Sequence, residues 1–281
     1  MKKPKVKVEF SETSAKNTKS KSRRKFIKLS GLGIAGSSFL IYGCSSDDLF
    51  DPGAPVGGPD PGPDPNPNPN PNPPTSDVFD LGAGNLGILN YAYALEQLEA
   101  AFYTEVQGGA YYMGANDEEK TILDDVWYHE VIHRDFFKVA ITAAVGEGNE
   151  DMVLPDLEFD FSSVNFDDRN SVLETALLLE DTGVSAYNGA GNLIDVTAPM
   201  GDVYLLVAGK IVSVEARHAS AFADLLEPNT TAFARDEVLV SIDGFGPAFD
   251  KATPPADVID AVVATGFVQT EFTANELPAD Q

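Results

Sequence analysis

The chain has 281 residues and one cysteine, Cys44, so it forms no internal disulfide and no thiolate-rich zinc site. Its formal charge of −25 hides a split: residues 1–43 hold 11 of the 19 Lys and Arg and 2 of the 44 Asp and Glu, leaving 8 basic against 42 acidic residues from Cys44 onward. So acidic a surface repels nucleic acid, favours solubility and attracts cations, and any metal must be held by carboxylates and the three histidines, His129, His133 and His218.

Residues 1–28 are basic and polar and end in Ser22-Arg23-Arg24-Lys25-Phe26-Ile27-Lys28. An apolar run rich in Gly and Ser follows from Leu29 to Tyr42, too short for a stable transmembrane helix. Together they resemble a twin-arginine (Tat) export signal. Ile41-Tyr42-Gly43-Cys44 resembles a lipoprotein processing box, with Tyr42 where a small residue is usual. The resemblance implies a signal over 1–43, lipidation of Cys44, and a protein anchored by lipid in the cell envelope, periplasmic or at the cell surface. The competing reading is a basic tail on an uncleaved anchor. Residues 44–84 read as a linker: the Pro/Gly/Asp/Asn tract 51–74 blocks helix and sheet and makes a semi-rigid spacer.

Four helices are predicted next. The first spans about Leu86 to Val106, where Leu89, Ala92, Leu95, Glu96, Glu99, Phe102 and Tyr103 recur at three- and four-residue steps, and Gly108-Gly109 stops it. The second runs from Asp117 to Val145 behind an N-cap at Asn116 or Asp117. A long acidic loop, 147–167, carries Phe159, Phe161 and Phe166, which are expected to pack over the bundle. The third helix starts near Asp168 and ends near Leu193, and the fourth runs from Asp202 to Leu226, before Pro228. No stretch with clear strand alternation competes. The expected fold is all-α: an antiparallel four-helix bundle over 85–226, with a C-terminal extension, 227–281, whose Pro254-Pro255 starts a short closing helix.

Polar residues interrupt these apolar stretches in a repeating way. The second helix holds Glu130-Val131-Ile132-His133 and the fourth Glu215-Ala216-Arg217-His218. A Glu and a His three apart lie about 60° apart around a helix, so both reach one metal. The first helix has Glu96 with Tyr103 seven residues on, and the third has Glu180 with Tyr187, each Tyr on the same face as its Glu. The offsets agree: 84 residues from Glu96 to Glu180, 85 from Glu130 to Glu215. Two copies of one hairpin, packed about a pseudo-twofold axis, bring four carboxylates and two imidazoles together, the ligand set of di-iron and di-manganese bundles.

On these residues the chain resembles the ferritin-like superfamily. More narrowly, Ile88-Leu89-Asn90-Tyr91-Ala92 through Leu95-Glu96-Gln97-Leu98-Glu99-Ala100-Ala101-Phe102-Tyr103 resembles the bacterial and plant desiccation-related group. The resemblance implies metal ligands at Glu96, Glu130, His133, Glu180, Glu215 and His218. It makes Glu130 and Glu215 bridges, Glu96 and Glu180 terminal, and gives one histidine to each ion. Carboxylate and imidazole donors without thiolate suit two iron ions, with manganese as the other candidate. The implied activity is oxidation of Fe(II) by O2 or peroxide, as a ferroxidase or peroxide-reducing oxidase.

Other readings stand beside it. The bundle serves as a non-enzymatic iron-binding or stress-protective protein, or as a scaffold without metal. His129-Glu130-Val131-Ile132-His133 also fits the H-E-x-x-H of a zinc protease, which leaves Glu96, Glu180 and the second Glu-x-x-His unexplained. Tyr103 and Tyr187 are either core packing or redox and hydrogen-bonding groups, Glu99 an additional ligand or an outer acid, and His129 an outer-face residue or a further ligand. The sequence leaves the oligomeric state open, a homo-oligomer included.

Overall fold

Two of the long helices begin where a side chain satisfies their first free N–H groups. The computed structural model describes residues 78–278. Helix α3, Asp117–Val145, is capped by Asn116, whose side chain accepts from the Glu118 and Glu119 amides, and three acids fill its first turn. Asp168 caps α4, Arg169–Gly191, by accepting from the Ser171 amide at 2.8 Å. Helix α1, Gly84–Gly108, has no side-chain cap, and α5, Gly201–Leu226, starts from Met200 in the left-handed region. The short helix α2, Ala110–Gly114, lies between α1 and α3, an element the sequence reading did not anticipate.

The helices form two hairpins. α1 packs along α3 and α4 along α5, and the hairpins meet with α1 against α4 and α3 against α5. Every residue of α1 from Gly87 to Ala100 is buried, as expected of a helix covered on all sides. α3 buries one stripe only: Glu119, Leu123, Val126, Glu130, Phe137 and Ile141. The two glutamates in that stripe mark polar business in the interior.

The acidic α3–α4 loop packs over the bundle as expected. Phe102 of α1 makes edge-on or tilted contacts with Phe161 and Phe166, ring centroids 5.8 and 5.9 Å away. Buried polar residues of α1 hold the loop backbone: Asn90 accepts from the Leu154 amide and donates to the Met152 carbonyl, and Gln97 does the same for Leu157 and Pro155.

The regions flanking the bundle hold more structure than the sequence reading gave them. Phe79–Asp80, inside the expected linker, forms strand β1, which pairs in parallel with β4, Phe272–Thr273, near the other end of the chain. The extension also contains an antiparallel hairpin, β2 (Leu239–Ile242) and β3 (Phe245–Asp250). Asp243 and Gly244 turn it with positive φ angles of 51° and 80°, an Asp-Gly pair of the kind that two-residue hairpin turns favour. The closing helix α6, Pro255–Thr265, starts at the expected proline. The export signal, Cys44 and the proline-rich tract lie outside the described residues. No helix among the described residues is long and apolar enough to cross a membrane.

Candidate metal centre

The four long helices each send one glutamate to the middle of the bundle. Glu96 from α1, Glu130 from α3, Glu180 from α4 and Glu215 from α5 are 0% exposed. Two imidazoles join them. His133 Nδ1 lies 3.4, 3.2 and 3.1 Å from oxygens of Glu96, Glu130 and Glu215. His218 Nδ1 lies 2.9, 3.1 and 3.3 Å from oxygens of Glu130, Glu180 and Glu215. All six residues picked from the sequence therefore converge.

Their arrangement forms two overlapping groups, Glu96-Glu130-His133-Glu215 and Glu130-Glu180-Glu215-His218, with the donor atoms of each group within 4.8 Å of one another. Glu130 and Glu215 belong to both. Each turns one oxygen to His133 and the other to His218. Glu96 and Glu180 belong to one group each.

The electrostatics follow from burial and crowding. Burial pushes the Glu96 carboxyl well above its ordinary range, against the nearby His133 imidazole and with the help of the Glu130 and Glu215 charges. Burial likewise raises Glu180, to about 8, despite His218. For Glu130 burial acts upward but loses to the His133 hydrogen bond and the neighbouring His218 imidazole, which hold it at about 2. Burial opposes charge on His133, yet the Glu130, Glu215 and Glu96 carboxylates raise it to about 12, and His218 is raised by Glu180, Glu130 and Glu215 in the same way. Without metal, the cluster is held by the two imidazoles, both favouring the protonated form, each with Nδ1 among three carboxyl groups.

One proton cannot serve three acceptors. Glu96 Oε2, Glu130 Oε1 and both oxygens of Glu215 are buried without a hydrogen bond, although imidazole nitrogens lie near them. Such atoms are costly to bury unsatisfied. A cation satisfies several carboxylate oxygens at once, so this donor set fits metal binding better than it fits protons.

The tyrosines take positions that spacing alone did not give. Each faces inward beside its own glutamate but bonds to the glutamate of the opposite hairpin. Tyr103 on α1 donates to Glu180 Oε1 at 2.5 Å, and Tyr187 on α4 donates to Glu96 Oε1. Burial and the facing carboxylates push both hydroxyls far up, so both act as donors.

Two further residues stand at the cluster. Glu99 is buried, joins neither ligand group, and has an unpartnered Oε2. Its Oε1 occupies space left by Gly183, where a Cβ would come within 3.0 Å. Burial, then the Glu180, Glu130 and Glu215 charges, lifts its carboxyl well above the usual range. His129 is exposed and in neither group, as its outer-face placement predicts, but its Nδ1 lies 2.8 Å from His218 Nε2. Spacing could not reveal that contact, because it joins α3 to α5.

A family model described as "Ferritin-like domain" matches residues 84–228. The chain belongs to the ferritin-like family. The matched span covers all four long helices and every residue of the two ligand groups. No curated protein matches the chain.

Proposed function

We propose that this ferritin-like chain binds two metal ions, iron or else manganese, through Glu96, Glu130, His133, Glu180, Glu215 and His218, and that it oxidises Fe(II) with O2 or peroxide at the cell envelope. The observation that carries this is the sharing of Glu130 and Glu215 between two groups, each completed by its own terminal glutamate and histidine. In this reading Glu130 and Glu215 would be shared by both ions, Glu96 and His133 would complete one position, and Glu180 and His218 the other.

Bound iron supplies the redox chemistry, passing electrons to O2 or peroxide. The chain does the rest. Tyr103 and Tyr187 hold Glu180 and Glu96 in place through hydroxyl hydrogen bonds. The buried walls of α1 and α4 keep water from the cluster. Glu99, buried beside the cluster with its pKa raised by burial, has no salt-bridge partner.

The sequence of α1 favours the desiccation-related group within the family, and Ser22–Lys28 with Cys44 favours twin-arginine export and lipid anchoring. A Cys44→Ala protein that moves from the membrane to the soluble fraction supports the anchor. One that stays in the membrane overturns it.

Anaerobic Fe(II) loading followed by rapid mixing with O2 or peroxide tests the activity. Repeated absorbance cycles with fresh Fe(II) support the oxidase. A single stoichiometric cycle supports a binding protein instead, and no iron uptake leaves the bundle as a scaffold.

A further inference from the structure

The two halves of the cluster match in their ligands and differ behind them. The 85-residue offset that relates Glu130 to Glu215 relates His129 to Val214. Only one of the two histidine ligands therefore has an imidazole behind it. His218 uses both ring nitrogens: Nδ1 faces Glu130, Glu180 and Glu215, while Nε2 lies 2.8 Å from His129 Nδ1. The two rings lie edge to edge and nearly coplanar, with centroids 5.1 Å apart and planes 11° from parallel. Nε2 of His133 has no side-chain partner among the described residues.

This geometry constrains protons. A histidine that binds metal through Nδ1 keeps its one ring proton on Nε2, and a partner that accepts that proton fixes both tautomer and ring orientation. His129 Nδ1 is placed to accept. The same contact is present in the metal-free protein. The ring need not turn when a metal replaces the Nδ1 proton.

We propose that His129 is the positioning residue of one metal position: by accepting the Nε2 proton of His218 it fixes the tautomer that frees Nδ1, and so makes the His218 position bind metal more tightly than the His133 position. The inference rests on the two-metal reading above and adds inequivalence to it.

Anaerobic titration of the full chain with Co(II), followed by calorimetry and visible absorption, tests it. The native protein should load in two steps separated by roughly 10–100-fold in affinity, the usual effect of a hydrogen-bond partner behind a ligand. His129→Leu should weaken the tighter step by about that factor and leave the weaker one unchanged. His129→Asn should restore it, because Asn Oδ1 is bonded to Cγ as His Nδ1 is. Melting of the metal-free variants reports whether the Leu protein is folded. If His129→Leu weakens both steps equally, weakens neither, or is not rescued by Asn, the proposal is wrong. Two equal steps in the native protein overturn this inference alone. No Co(II) binding at all overturns the two-metal reading and this inference with it.

Discussion

Removing one hydroxyl isolates the crossing hydrogen bond between the hairpins. Tyr103 is fully buried, its ring in contact with Phe102 (centroids 5.1 Å apart) and stacked on Phe222 at 13°. Tyr103→Phe keeps those ring contacts and deletes only the donor to Glu180. Above pH 8, where Glu180 is charged, a hydrogen bond to it contributes about 1.5–3 kcal/mol. For a domain of this size each kcal/mol shifts the melting temperature by roughly 2–4 °C, so the metal-free variant should melt about 3–12 °C lower. Urea unfolding should show the loss in the midpoint with an unchanged slope. Tyr187→Phe removes the equivalent bond to Glu96 and should behave alike. With metal, each variant should weaken one ion only, the one held by the glutamate it no longer orients. If both variants unfold within about 0.5 kcal/mol of the native protein, the hydroxyls do not make these bonds and the crossed arrangement is wrong.

The shared and unshared ligands separate by stoichiometry: Glu96→Gln and Glu180→Gln should each retain one ion per chain by elemental analysis, whereas Glu130→Gln and Glu215→Gln should retain none. The metal-free protein should lose stability as pH rises from 5 to 8. Glu180, raised to about 8, gives stability that is complete below its ordinary pKa and lost as pH rises through 8, and His133 adds a loss that extends toward 12. Glu130, held at about 2, acts the other way, its contribution disappearing as pH falls from the ordinary carboxylate range toward 2. Mn(II) competes with protons for the same atoms, so the melting shift it produces should grow from pH 5 to 8, and a shift that shrinks contradicts the assignment. Gly189→Ala should destabilise the protein by roughly 2 kcal/mol or more by overpacking. Its Cβ would lie 1.9 Å from the Thr253 carbonyl oxygen, forcing the segment before α6 off α4, and limited proteolysis after residue 228 should accelerate.

The sequence made the bundle legible because helical periodicity, caps and glutamate spacing all repeat locally. Asn116 and Asp168 cap where their position before an apolar stretch indicates, and the 84- and 85-residue offsets exposed the cluster before any geometry was known. Contacts between distant segments were not legible. The Asp243-Gly244 turn was a readable hairpin signal, but the flanking Leu239–Ile242 and Phe245–Asp250 are short and largely exposed, without a strong alternation to draw attention. The crossing of Tyr103 to Glu180, the docking of Asn90 and Gln97 on the loop, and the His129–His218 bond all depend on which helix faces which. Spacing within one helix carries no information about its neighbour.

Crystals of the protein loaded anaerobically with Fe(II), measured on both sides of the iron absorption edge, test the central claim most directly. Two anomalous peaks should appear roughly 3.5–4 Å apart, one beside His133 and one beside His218, with Glu130 and Glu215 between them. A cluster with no peak, or iron bound only away from these six side chains, would contradict it.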